Sequence, residues 1–122
     1  MDVKADSQSK GIAVEISRHQ ANMCAALADY HRVLLLYAMI DQPQSVSQLA
    51  QRVGLTQPAV SRHLRIMREG KVVSAKRQGK YIYYIATDNR IVQAMDLFRS
   101  SLIEQMQQED WAAHTAHQRP PV

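Results

Sequence analysis

The 122-residue chain contains one cysteine, Cys24. A single thiol excludes an internal disulfide framework and any Cys-x-x-Cys site within one chain. No run approaches the ~18 consecutive apolar residues expected of a membrane-spanning helix. The opening segment, MDVKADSQSK, has no apolar signal region, so a cytoplasmic protein with no membrane partner is expected. No Ser-His-Asp arrangement, glycine-rich phosphate loop or paired-carboxylate pattern stands out, so no enzyme is expected and no cofactor is called for. Internal repeats are also absent. Glycine and proline number only four each, and Pro43, Gly54, Pro58, Gly70 and Gly79 fall where one element would give way to the next.

What is present begins with size and charge. The length suits one domain, and a hydrophobic fraction of 46% is ordinary for a globular chain. The net charge is +4, but it is unevenly placed. Residues 52–80 carry eight basic side chains (Arg52, Arg62, Arg65, Arg68, Lys71, Lys76, Arg77, Lys80) and one acid, Glu69, giving +7. The rest of the chain carries seven basic residues and ten acids, giving −3. A positive segment on a mildly negative body is the electrostatic footprint of a polyanion binder.

Periodicity divides the chain into a flexible stretch at 1–10, a folded domain at 11–108 and a tail at 109–122. A first helix is expected over 11–27, with Ile12, Ile16, His19, Met23 and Leu27 on one face. Asp29 is placed to cap a second helix over 30–40, whose run VLLLYAMI is apolar nearly all round and should be buried. After the loop DQPQS, a third helix over 46–53 buries Val46, Leu49, Ala50 and Val53 and ends at Gly54. Thr56 caps a fourth helix, with Pro58 in its first turn. Val60, Leu64 and Met67 face its core side, and Gly70 ends it. VVSAKR and KYIYYIA then form a hairpin around Gln78-Gly79. Asp88 can cap a last helix over 89–108 or beyond, with Ile91, Met95, Phe98, Leu102 and Met106 as its apolar stripe.

A short helix, a glycine turn, a basic helix and a hairpin with a charged tip make a winged helix-turn-helix. The expected fold is mainly α with a β-hairpin wing, in the order α-α-α-α-β-β-α. Such a module sets one helix in the DNA major groove and a β-ribbon beside it. Gln57, Ser61, Arg65 and Arg68 share the outer face of the fourth helix, with Arg62 at its side. Gln57 suits adenine and Arg62 suits guanine O6 and N7. Ser61 can bond a base or a phosphate, and Thr56 a phosphate while it caps. Arg65 and Arg68 lie further along, where phosphate contacts set register. Arg77 and Lys80 flank the hairpin tip and reach for the backbone or minor groove. His63, beside Leu64, is expected to pack or to bond the backbone. The amphipathic first and last helices need cover, and a two-fold dimer through them is the simplest solution. A dimer also reads two half-sites.

ALADYHRVLLLYAM, SVSQLAQRVGLTQPAVSRHLRIMREGKVV and the QGKYIYY wing resemble the ArsR/SmtB family of bacterial repressors over about residues 20–104. The resemblance implies a homodimeric repressor that binds an imperfect inverted repeat and leaves when an inducer binds. It places Gln57, Ser61 and Arg62 on DNA-contacting positions. A constitutive DNA-binding or architectural protein of the same fold, without an effector, is the alternative. The family's inducer sites carry over poorly. Ser45-Val46-Ser47-Gln48 stands where many members carry a Cys-x-Cys-type box, and soft metals need thiolates. The zinc-sensing positions correspond to Asp88, Arg90, Ser101 and Glu104, with both imidazoles missing. The two cysteines of sulfide- and redox-sensing members correspond to Tyr37 and about Ile103. Small-molecule, metal or redox inducers all stay open. Cys24 reads either as a packed hydrophobe or as a redox or effector thiol. No metal site is expected. The candidates considered are His19 and Cys24 on the first helix and His114 and His117 near the end of the chain, too few to form one alone.

Overall fold

In a computed structural model, residues 7–117 are described, with the side chains of residues 9–110. The described elements are α1 (Ser7–Ala26), α2 (Tyr30–Ala38), β1 (Gln44–Ser45), α3 (Val46–Val53), α4 (Gln57–Glu69), β2 (Val73–Gln78), β3 (Tyr81–Ala86) and α5 (Asn89–His117). The chain forms two compact units that meet in sequence between Asn89 and Arg90.

The first unit is built around short, well-capped helices. Asp29 caps α2 by accepting hydrogen bonds from the His31 N–H at 2.9 Å and the Arg32 N–H at 3.3 Å. These satisfy backbone donors that have no partner inside the helix. At α3, Ser45 and Gln48 form a reciprocal capping box. The Gln48 N–H donates to Ser45 Oγ at 3.2 Å, and the Ser45 N–H donates to Gln48 Oε1 at 2.8 Å. Gly54 closes α3 in the left-handed region, φ 71°, and its N–H returns to the Ala50 carbonyl. Around these ends Leu35, Leu36, Met39, Leu49, Val60, Leu64, Met67 and Val72 are fully buried and make the core. Of the expected α3 stripe, Leu49 and Ala50 are buried, while Val46 and Val53 are half-buried.

The sheet has three strands in the order β1-β3-β2, all antiparallel. The expected hairpin forms, but its two-residue turn is Gly79-Lys80 rather than Gln78-Gly79, with Gln78 paired opposite Tyr81. Gly79 has φ +64°, the backbone that a tight hairpin turn demands. The hairpin base closes through the Thr87 N–H to the Val72 carbonyl and a Ser74–Thr87 hydroxyl contact at 3.1 Å. The two-residue β1, which pairs Gln44 with Tyr84 and Ser45 with Tyr83, lies in the tract expected as loop. Pro43 breaks the chain there, and the pairing partner is some forty residues on, beyond the reach of local pattern.

Several boundaries differ from expectation. α1 starts at Ser7, so residues 7–10 are helical rather than flexible. Nothing in that stretch stops a helix, and the interior Gly11 costs only ~1 kcal/mol. α2 stops at Ala38, with Met39 as its cap. The helix is not buried all round: Leu34 is 43% exposed and Tyr30 70%. α5 continues through residues placed in the tail, as far as His117. The stretch EDWAAHTAH has no glycine or proline, and the breakers Pro120-Pro121 come only afterwards. Gly70 does end α4, but with an ordinary φ of −80°. The left-handed residue is Lys71, φ 63°. Gly70 answers a spatial demand instead, because a Cβ there would overlap the Ala26 methyl where α1 passes α4.

Candidate nucleic-acid interface

α4 is a two-faced helix. Thr56 caps it, with Oγ1 accepting from the Ala59 N–H at 3.3 Å, and Pro58 occupies the first turn. Val60, Leu64 and Met67 are buried, which fixes the helix's rotation about its axis. That rotation leaves Gln57, Ser61, Arg62, Arg65 and Arg68 exposed. The glycine turn after α3 brings α3 and α4 together in the helix-turn-helix arrangement, with Gln57 and Ser61 exposed at the N-terminal end of α4.

Arg62, Arg65 and Arg68 form no ion pair among the described residues. Arg65 and Arg68 line one shallow surface cleft together with Glu69, the only acid of the basic segment. On the wing, Arg77 and Lys80 are exposed, and the Lys80 ammonium sits 5.6 Å from the centroid of the Tyr81 ring. The eight sites singled out for DNA thus lie on the outer face of α4, at its cap and around the hairpin tip. Arg52 is different. Its guanidinium donates to the Ala38 carbonyl at 2.7 Å, completing the C-terminal end of α2.

His63 is half-buried, and its partner is a side chain rather than the backbone. Arg32 Nη1 lies 3.3 Å from His63 Nδ1. Arginine can only donate, so that ring nitrogen is the unprotonated acceptor. Arg32 is itself anchored through Nε to the Ala26 carbonyl at 2.8 Å. The His31 ring lies against both Tyr30 and His63, at centroid distances of 3.9 and 5.6 Å. Burial lowers the His63 pKa from its ordinary value. Asp29 opposes that shift, while Arg32, His31 and Arg62 reinforce it. For Asp29, burial pushes the carboxyl up, but the His31 and Arg32 N–H bonds and the charges of Arg32 and His63 bring it below the ordinary value. The start of α2 is therefore wired to α4 through Asp29, His31, Arg32 and His63. Residues 31 and 63 are too far apart in sequence for spacing to reveal this; the only signal was a histidine next to a helix cap.

The other candidate residues stay apart. Cys24 is exposed. His19 lies 4.0 Å from Glu15 one turn away and joins no metal-competent group of three among the described residues. The side chains of His114 and His117 lie outside the described residues. At the positions of the family's thiol box, Ser45 and Gln48 serve as the α3 capping box.

Comparison with known proteins agrees with this architecture. Residues 29–75 match the family described as "Bacterial regulatory protein, arsR family". A transcriptional repressor SmtB homolog of Synechocystis is 31% identical over 103 residues, covering 84% of this chain and 75% of that protein. The nodulation protein NolR of Rhizobium meliloti is 32% identical over 75 residues, covering 62% of each, less than two thirds of its length. In fold, the chain superposes with a TM-score of 0.74 on the winged helix-turn-helix domain of a Mycobacterium bovis protein described as homodimeric and as a possible ArsR-family regulator. That match covers 88% of this chain and 95% of the other, at 20% identity. The chain belongs to the ArsR/SmtB family of winged helix-turn-helix transcriptional regulators.

Proposed function

We propose that this regulator is a cytoplasmic homodimeric repressor that binds an inverted-repeat operator and leaves it when an inducer binds. The observation that carries the reading is the outer face of α4, where Gln57, Ser61, Arg62, Arg65 and Arg68 are exposed on a helix whose other face is locked in the core. Gln57 and Arg62 have the donor geometry for adenine and guanine edges. Ser61 bonds a base or a phosphate, and Thr56, Arg65 and Arg68 hold phosphates. Arg77 and Lys80 reach the backbone or minor groove beside the site.

What supports the dimer is the apolar surface that a single chain leaves uncovered. Ile12 and Ile16 of α1 are 58% and 59% exposed, and Phe98, Leu102 and Met106 of α5 are exposed as well. Apolar stripes of this kind on long helices call for a second surface. The homodimeric M. bovis domain and the Synechocystis repressor homolog lend support to dimer and repressor respectively. No helix among the described residues is long and apolar enough to cross a membrane.

The test is fluorescence anisotropy and footprinting on DNA from upstream of the protein's own gene. Protection of two half-sites about 10–10.5 bp apart, or a multiple of that, is expected. Equal affinity for that DNA and random DNA would overturn the operator reading. Tight operator binding that peroxide, polysulfide and divalent metals all leave unchanged would favour a constitutive DNA-binding protein or an organic inducer.

A further inference from the structure

We infer that Asp29, His31 and His63 form a binding site for a divalent cation of the zinc, nickel or cobalt class, tying the start of α2 to the recognition helix. One donor atom from each residue lies within 4.8 Å of the other two. Asp29 Oδ1 and His31 Nδ1 are 3.7 Å apart. Ligands held at ~2.0–2.2 Å on a tetrahedral ion stand about 3.3–3.6 Å from one another. Closing the site therefore takes small side-chain movements and no refolding. All three residues are half-buried, partly shielded yet still open to an entering ion.

The donor set selects the metal. Two imidazoles and one carboxylate are borderline ligands, suited to zinc, nickel or cobalt. They are poorly suited to calcium, which prefers all-oxygen cages, or to thiolate-seeking ions. Three protein ligands leave a fourth position for water. Metal binding needs an unprotonated imidazole, and the Arg32 contact already makes Nδ1 of His63 an acceptor. Asp29 is oriented by the two backbone N–H groups it caps, as outer-shell partners orient a metal-bound carboxylate. The opposing group is the Arg32 guanidinium, which must withdraw from His63 as a cation enters. The site shares no residue with the thiol box at 45–48 or with the zinc-sensing positions 88, 90, 101 and 104.

The role of this site as an effector rests on the repressor reading above. His63 lies next to Arg62 on α4, so an ion that holds its ring against Asp29 and His31 restrains α4 from adjusting the face that carries Gln57, Ser61 and Arg62 to the DNA. Occupancy then weakens operator binding.

The experiment uses the full-length, untagged, reduced protein, titrated with cobalt(II) chloride and followed by visible absorption and by calorimetry. One ion per chain is expected, with ligand-field bands of a nitrogen- and oxygen-ligated centre and competition by zinc. His31→Ala should weaken binding more than about tenfold while leaving fold and metal-free operator affinity unchanged. Arg32→Gln removes the opposing charge and should tighten cobalt binding by about tenfold. Cys24→Ser and a His114→Ala/His117→Ala double variant should bind as the parent does. No cobalt binding, binding insensitive to both His31→Ala and Arg32→Gln, or a thiolate charge-transfer band lost in Cys24→Ser would each overturn the site. Operator affinity that falls with metal in the parent but not in His31→Ala supports the effector role, and unchanged affinity at saturating metal overturns that role. Failure of the metal-free protein to prefer its operator refutes the repressor reading instead, leaving the cobalt titration to judge the site alone.

Discussion

The helix-turn-helix and wing, roughly residues 30–86, contrast with the long helices α1 and α5. In the former, Leu49 of α3 and Val60, Leu64 and Met67 of α4 are fully buried, and each helix end is closed by a named cap. In the terminal helices the apolar stripes stand in the open: Ile12 and Ile16 on α1, Phe98, Leu102 and Met106 on α5. The DNA-reading module gets its specificity of fold from one chain. The terminal helices have the periodicity of buried helices without the burial, and the proposed dimer rests on that difference. One sequence thus encodes two kinds of packing, and variants in each region should fail in different ways.

The largest effect is expected inside the module. Leu64→Ala removes a side chain only 1% exposed from the inner face of α4. The lost burial and residual cavity should destabilise the chain by about 2–5 kcal/mol. Chemical denaturation checks this, with the midpoint falling and DNA binding lost in parallel with folded fraction. A loss below ~1 kcal/mol would show that α4 is not anchored through this face.

On α5 the same logic predicts a different failure. Phe98 is 69% exposed in the single chain, so Phe98→Asp has no intrachain core to disrupt. If this stripe is the dimer interface, placing a carboxylate there should cost about 2–4 kcal/mol of association. Sedimentation should then show monomers with helix content preserved. A dimer as tight as the parent's would remove α5 from the interface and leave α1 as the remaining candidate surface.

How much of this was legible in sequence follows the same division. α3 and α4 could be read because their signals are local: Gly54 at a left-handed position, Thr56 and Pro58 at a helix start, Val60, Leu64 and Met67 at helical spacing. The capping role of Asp29 was legible for the same reason. The strand β1 was not, since two residues carry no period and their pairing with Tyr83 and Tyr84 is long-range. The contact of Arg52 with Ala38 was also hidden, because a charged residue in a basic segment reads as surface until its partner is seen. That of Arg32 with His63 was hidden because the two residues lie 31 apart in sequence. The Asp29–His31–His63 group escaped because its members come from two helices joined only by folding.

Within the module, α4 offers a sharper comparison between neighbours. Arg62 is two residues from Leu64 but exposed. Arg62→Ala should leave stability within about 0.5 kcal/mol. If Arg62 reads a guanine, operator affinity should fall by about 1–3 kcal/mol, with preference relaxed at one base position. Paired denaturation and anisotropy measurements test this. Equal losses on operator and random DNA would reassign Arg62 to the phosphates.

The smallest expected effect lies at the wing. Lys80 is exposed at the hairpin turn with its ammonium near the Tyr81 ring, and it touches no acid among the described residues. In the proposed function, Lys80 acts on DNA as a point charge on the phosphate backbone. Its removal should weaken operator and random DNA alike, leaving base preference intact. Each phosphate contact contributes a slope of about −0.9 to log K against log salt, so Lys80→Ala should make the slope shallower by roughly that amount. The affinity loss should therefore be visible at low salt and shrink as salt rises, whereas an Arg62→Ala loss in base readout persists. An unchanged salt slope in Lys80→Ala would take the hairpin tip off the DNA and leave α4 as the whole of the contact surface.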